Sequence, residues 1–480
     1  MERRTKAILV LGTSSFSGKT TLAMALCRYF SDRGYRVSPF KSVNMSLNSV
    51  AIPPGREISR SVYLQAVAAR AEPSVCMNPY LIKPEAGGYA QLIEFGNSRG
   101  IMEYKELNEY MRRRAGGVIQ SALHTLAKKY DVIIAEGAGS PAELNFSGED
   151  YSNTYISSVL DTAAVLVGDI DRGGVFASLY GTLSLMKRKE TVRWLVINKM
   201  RGNDAILAPG IKKLEALTGR RVIGVLPFIG DIMLPGEDGL NYETGRFNRH
   251  VAVVRYPFME NYSDLDPLFI YGTGANLIGE GGTGMIEHAH LVLLPGSKRV
   301  DHDLYFLRKS GLERELLESV KKGATLLGIC GGYQMLGNRV TFQDGRSLKG
   351  LSLLNVSTIY SERKTVRSVE YEFFDKKRFG EGRYGGYEIH YGITRPERGT
   401  PFLKIGRRYE GMISEDGRII GTNVHGVLEN LSFLRAILPE ARLDVNLDYS
   451  SLIERSISKV TSRLLKNLDT GVLEEYVKSK

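Results

Sequence analysis

Along the first half of the chain, short aliphatic and β-branched runs alternate with stretches whose apolar residues recur every three to four positions. Residues 7–11, 131–135, 163–167 and 193–197 read as strands, and 22–30 as a helix. That alternation predicts a mostly parallel α/β sheet. A second series of strands follows at 251–256, 291–294 and 325–329, with β-rich pieces around 351–359 and 418–424. Between the two series, the polar stretch 231–249 carries Pro235, Gly236, Gly239 and Gly245 and reads as a linker. The expected organisation is a first α/β domain over 1–246, a second over 247–445, and one amphipathic helix with a charged tail over 446–480. The apolar stripe of that helix is Leu452, Ile453, Ile457, Val460, Leu464 and Leu465. No repeat or low-complexity segment interrupts the pattern.

Composition narrows the picture in three ways. With 480 residues, 43% hydrophobic and 24% charged, the chain has material for more than one core, which excludes global disorder. No run reaches 18 apolar residues, so a cytoplasmic protein without membrane contact is expected. The net charge of +11 is a mild excess that suits anionic ligands and argues against a nucleic-acid partner. The basic clusters 112–114 and 187–189 fall in helix-like segments and read as solvated faces. Three cysteines, Cys27, Cys76 and Cys330, form no CxxC pair, so neither a disulfide framework nor a cysteine zinc site is expected. Cys27 and Cys76 read as core residues. His288, His290 and His302 do not make a metal set, and His124 lies in a helical run.

Two segments carry chemistry. The first is Gly12-Thr-Ser-Ser-Phe-Ser-Gly18-Lys19-Thr20-Thr21, placed between the opening strand and its helix. Backbone N–H groups of such a loop cradle phosphates, Lys19 offsets charge on the β and γ oxygens, and the Thr20 hydroxyl suits Mg²⁺. Five residues separate Gly12 from Gly18, one more than the usual pattern, as in the dethiobiotin-synthetase-like branch that this loop resembles. Gly12, Thr13, Gly18, Lys19, Thr20 and Thr21 are the expected nucleotide ligands. Glu136, ending a strand before Gly-Ala-Gly139, is a candidate Mg²⁺ ligand, direct or through water. Asn198, also at a strand end, can offer a donor and an acceptor to an adenine edge. The GxGxxG match at 279–284 precedes a strand, not a helix, and reads as a plain loop.

The second is Cys330-Gly331-Gly332-Tyr-Gln334, which follows the apolar run 325–329. A cysteine on a tight turn from strand to helix is exposed for attack, and thiolates are favoured at helix N-termini. The Gly331 N–H would face the oxyanion of an attacked carbonyl. His425, just past the strand at 418–424, is the candidate general base.

Cys330-Gly-Gly-Tyr-Gln with His425-Gly426 resembles class I glutamine amidotransferases. Those enzymes commonly place a Glu two residues after the histidine. Here that residue is Val427, so the expected site is a Cys–His dyad with no visible orienting carboxylate. Further segments extend the resemblance over nearly the whole chain to the cobyric acid synthase family: Phe40-Lys41-Ser-Val-Asn44-Met-Ser-Leu-Asn48-Ser49, Glu136-Gly-Ala-Gly-Ser-Pro-Ala-Glu143, Asp169-Ile-Asp-Arg-Gly-Gly-Val-Phe-Ala177, Leu294-Pro-Gly296-Ser-Lys298 and Gly386-Tyr-Glu-Ile-His390. The resemblance implies ATP-dependent amidation of the b, d, e and g carboxylates of an adenosylated corrinoid a,c-diamide, with ammonia from glutamine. It implies Gly296 beside Gly331 in the oxyanion hole, Lys41, Asn44 and Asn48 toward the corrinoid, and ATP and Mg²⁺ with no tightly bound cofactor. The sister a,c-diamide synthase or another ATP-dependent amidotransferase, a pseudo-amidotransferase using free ammonia, and a P-loop nucleotide switch are the rival readings, and Cys330 with His425 argues against the switch.

Overall fold

The computed structural model describes residues 5–145, 148–230, 234–235, 250–282, 284–443 and 445–479. The boundary expected near residue 247 and most of the polar stretch 231–249 lie outside these residues. The chain forms two compact units. Unit 1 comprises Met1–Ser46, Glu57–Met233 and Ile453–Lys480; unit 2 comprises Leu47–Arg56 and Leu234–Leu452.

Unit 1 is built on a six-stranded parallel sheet, in the order Arg221–Pro227, Val192–Met200, Thr162–Asp169, Lys6–Gly12, Val132–Glu136, Val37–Phe40. Its central strand Lys6–Gly12 is buried at every position, as expected where helices cover both faces. The strands expected at 7–11, 131–135, 163–167 and 193–197 are all here. The helix expected from Leu22 begins at Lys19 and runs to Asp32. A second sheet was not foreseen: Val43–Met45 pairs parallel with Tyr80–Pro84, which leads antiparallel into Tyr89–Glu94 and Asn97–Glu103.

The C-terminal segment differs from expectation. In place of one helix and a charged tail it forms two helices, Tyr449–Leu465 and Gly471–Lys478. From Ile453 onward it completes unit 1, burying Ile453, Ile457, Val460, Leu464, Leu473 and Tyr476. Buried Arg28 on the helix Lys19–Asp32 pairs with Glu454 at 2.5 Å. In the 187–189 cluster the first two residues sit in a turn and Lys189 opens the 3-10 segment Lys189–Thr191, whereas 112–114 projects from the exposed face of Tyr104–Ala127. Cys27 is buried, but Cys76 is only half-buried because it lies in the short turn Val75–Met77.

Unit 2 has a parallel core ordered Asn276–Ile278, Val251–Val254, Leu291–Leu294, Thr325–Ile329, Ile419–Thr422. The sheet then turns antiparallel through Arg408–Ile413 and Thr400–Ile405 into Val356–Phe373, which forms a long hairpin with Tyr384–Pro396. Phe373 stacks on Phe433 at 5.3 Å within an aromatic core that also holds Phe379 and Phe402.

Candidate active sites

In unit 1 the loop 13–18 leaves the C-terminal end of Lys6–Gly12, the edge of a parallel sheet where ligands gather. Thr13 N–H donates to Val167 O at 3.0 Å, anchoring the loop to the neighbouring strand. Gly18 has φ of 99°, and a Cβ there would lie 2.0 Å from Asn198 Nδ2, so any side chain would strain the turn and displace Asn198. Asn198 donates that amide to Ser17 O at 2.9 Å. The structure therefore brings Asn198 against the phosphate loop itself, where one of its two amide N–H groups holds the turn. Lys19 Nζ donates to Ser14 O at 2.8 Å and to Gly139 O at 3.0 Å, so its ammonium spans the loop and the Gly-Ala-Gly turn. Ser17 Oγ is buried with no hydrogen-bond partner, which fits a loop whose polar lining awaits an anionic ligand.

Glu136, nearly inaccessible, gathers the rest of this site. Its Oε1 accepts from Thr20 Oγ1 at 2.7 Å and from Lys41 Nζ at 2.9 Å, and its Oε2 accepts from Gln65 Nε2 at 2.5 Å. The Lys41–Glu136 pair is fully enclosed, a geometry tolerated because hydrogen bonds satisfy the carboxylate on both oxygens. The ammonium of Lys41 is thus directed at the phosphate-loop site. Asn44 is buried with its amide on Ser61 Oγ at 3.2 Å. Asn48 is also buried, in the run Leu47–Arg56 that is counted with unit 2. Gln65 was not foreseen. Its only sequence signal is a polar residue on the buried face of the apolar helix Arg60–Ala69. Thr21 stands on the first turn of the helix that the loop feeds.

In unit 2, Cys330 sits between the strand Thr325–Ile329 and the short helix Gly331–Leu336, at φ 51° and ψ −110°. That strained conformation is a place where a fold stores energy to present a side chain. The glycines behind it are steric necessities: a Cβ on Gly332 would lie 1.9 Å from Leu294 O. Cys330 N–H donates to Thr422 O at 2.7 Å and Sγ faces Ile389 O at 3.6 Å. Gly331 opens the helix, so its N–H is one of the four with no acceptor within the helix. Gly296 ends the strand Leu291–Leu294 side of the site, and a Cβ there would lie 3.6 Å from His425 Cε1. Cys330, His425, Gly331 and Gly296 thus belong to one constellation.

The expected dyad has a third member. Asp264 Oδ2 lies 2.6 Å from His425 Nδ1, and Oδ1 accepts Gly426 N–H at 2.8 Å. Both side chains are buried. Burial works against the imidazolium, but the Asp264 charge and hydrogen bond outweigh it with help from Cys330, raising the His425 pKa to about 10. The imidazole stacks on Tyr387 at 5.0 Å and 12°, which fixes its plane. Its other nitrogen, Nε2, is buried on the Cys330 side of the ring, as suits a nitrogen that passes a proton between thiol and substrate. Asp264 was missed because it comes from the turn Tyr262–Leu265, 161 residues before His425. His288, His290 and His302 lie elsewhere, and among the described residues no group of three metal-ligating side chains could hold an ion.

Residues 8–240 match the CobQ/CobB/MinD/ParA nucleotide binding domain, and residues 250–433 match the CobB/CobQ-like glutamine amidotransferase domain. A probable cobyric acid synthase from Picrophilus torridus is 47% identical over 98% of this chain and 99% of its own. One from Thermoplasma acidophilum is likewise 47% identical, over 98% of this chain and all of its own length. A cobyric acid synthase from Alkaliphilus metalliredigens is 37% identical over 96% and 98%. The chain belongs to the cobyric acid synthase family. Membership accounts for both sites in one polypeptide, since a nucleotide binding domain and a glutamine amidotransferase domain are each matched by their own family model. Among the described residues no helix is long and apolar enough to cross a membrane.

Proposed function

We propose that this member of the cobyric acid synthase family forms amides at the b, d, e and g side-chain carboxylates of adenosylcobyrinic acid a,c-diamide, consuming ATP and glutamine. The observation that carries the reading is the Cys330–His425–Asp264 constellation in the same chain as the phosphate loop. A nucleotide switch has no use for a glutaminase.

In unit 2, Cys330 Sγ attacks the side-chain amide carbon of glutamine, with the oxyanion received by the N–H groups of Gly331 and Gly296. His425 Nε2 carries the proton to the departing nitrogen, while Asp264 holds the ring and stabilises its charged form. Water then hydrolyses the thioester, with His425 as base, to release glutamate.

In unit 1, a carboxylate resists ammonia because its leaving group would be oxide. Transfer of the γ-phosphoryl group to the carboxylate creates an acyl phosphate that ammonia displaces. Thr13, Gly18, Lys19, Thr20 and Thr21 hold the nucleotide phosphates. The Thr20 hydroxyl would hold Mg²⁺, with Glu136 behind it accepting from Thr20 Oγ1; the ion would offset charge on the transferred group. Lys41, fixed by Glu136, adds positive charge at the same place, and Asn44 faces the corrinoid amides.

The test is ATP hydrolysis and amide formation with the corrinoid a,c-diamide, comparing glutamine with ammonium salt. Amidation from either nitrogen source supports the reading. ATP hydrolysis that ignores both the corrinoid and the nitrogen source overturns it.

A further inference from the structure

The Asp264 turn is held from an unexpected quarter. Asn261 precedes it in the left-handed conformation, φ 51° and ψ 41°, and its N–H donates to Leu47 O at 3.4 Å. Its Oδ1 accepts both the backbone N–H of Ser49, at 3.2 Å, and the Ser49 hydroxyl, at 3.3 Å. Ser49 is wholly buried and Asn261 nearly so. The same stretch is tied to the oxyanion side, since Glu260 N–H donates to Gly296 O at 2.9 Å. Ser49 opens the strand Ser49–Ile52, which packs within unit 2 against the hairpin strand Tyr384–Pro396 that carries Tyr387. Leu47–Arg56 is also the direct continuation of the unit 1 run that bears Lys41 and Asn44.

We propose that Ser49 and Asn261 form a clamp that positions Asp264, and through it His425, and that the covalent run from Asn44 to Ser49 makes this clamp responsive to corrinoid bound by unit 1. The proposal rests on the corrinoid reading above for its second half only. Asn261 fixes the backbone three residues ahead of Asp264, and Asp264 N–H donates to Asn261 O at 3.4 Å. A shift of Ser49 therefore moves the carboxylate that orients the imidazole, and misplacement of a catalytic group by about 1 Å costs on the order of 10²-fold in rate.

The test uses the full chain with Ser49→Ala, which deletes one hydroxyl, and Asn261→Gly, which keeps the left-handed backbone while removing the acceptor. Glutaminase kcat and KM are measured with and without ATP plus the corrinoid a,c-diamide, alongside amidation driven by ammonium salt. Wild type is expected to gain about fivefold or more in glutaminase kcat on adding the unit 1 substrates, the lower range of couplings between sites. Both variants are expected to lose kcat at little-changed KM and to lose most of that gain, while ammonia-driven amidation persists. The double variant is expected to be no worse than the poorer single variant, as for two residues acting as one unit. Wild-type kcat and gain in Ser49→Ala, or losses that simply multiply in the double variant, overturn the clamp. Absence of any gain in wild type overturns its responsiveness. Failure of wild type to amidate the corrinoid from either nitrogen source sinks the corrinoid reading instead, leaving the basal kcat of the variants to decide the positioning role. If Asn261→Gly does not fold, Ser49→Ala alone decides.

Discussion

Asp264 grips His425 on two sides, with one oxygen 2.6 Å from the imidazole Nδ1 and the other accepting the N–H of the next residue, Gly426, at 2.8 Å. The carboxylate therefore fixes ring tautomer and backbone together. A buried imidazole held this way stays protonated to a higher pH than a free one.

Asp264→Asn follows directly. The raised His425 pKa falls when the charge is removed, so the alkaline limb of the glutaminase profile moves to lower pH. Glutaminase kcat should drop by up to roughly 10⁴-fold, the cost of losing a buried imidazole-orienting carboxylate. Ammonia-driven amidation should be unchanged. A pH–rate profile of glutaminase checks the sign, and an unmoved alkaline limb refutes it.

Cys330→Ser should abolish amidation from glutamine and retain it from ammonium salt at a pH that supplies free NH₃. The thiol breaks only the glutamine amide. Side-by-side amide formation from the two nitrogen sources is the measurement, and glutamine-driven activity without free ammonia would remove Cys330 from the mechanism.

Lys19→Ala should do the reverse, ending amidation from either source while glutaminase turnover continues, because Lys19 and Cys330 belong to different units. Normal amidation rates in this variant would disprove the phosphate-loop assignment.

Glu136→Gln strips the charge that Lys41, Thr20 and Gln65 share. It should weaken Mg²⁺-dependent turnover more than ATP binding. It should also lower Tm, since an uncompensated buried lysine costs about 3–5 kcal/mol. Adding Lys41→Met should recover the Tm and not the turnover. Magnesium titrations and thermal melts of the single and double variants separate the two effects.

Deleting residues 453–479 should unfold unit 1. Burial of Ile453, Ile457, Val460 and Leu464 contributes roughly 6–12 kcal/mol at about 1.5–3 kcal/mol each, on the scale of the about 5–15 kcal/mol that holds a whole domain. Loss of ATP binding with glutaminase retained is expected, and binding of ATP by the truncated chain would contradict it.

What was legible in the sequence were features whose signal is local. The strand, glycine loop and helix from Lys6 to Asp32 can be read within one window, as can Cys330 between its strand and its glycines. Buried parallel strands such as Val132–Glu136 stand out as continuous apolar runs. The second sheet of unit 1 was hidden because Tyr80–Pro84 and Asn97–Glu103 mix charged and apolar residues without clean alternation. Asp264 and Gln65 act only through tertiary contacts, to His425 and Glu136, and nothing beside them in the chain marks either. Asn198 was seen as a site residue, but only the fold shows its amide on the Ser17 carbonyl.

The chain crosses between its two units more often than a simple fusion requires, sending Leu47–Arg56 to unit 2 and Ile453–Lys480 back to unit 1. On the ribosome this reverses the order that position alone suggests. Unit 2 has all of its segments once residue 452 has emerged, whereas unit 1, though begun first, waits for the helices that follow. No single cut yields two intact halves, so a split gene would have to rebuild one of them.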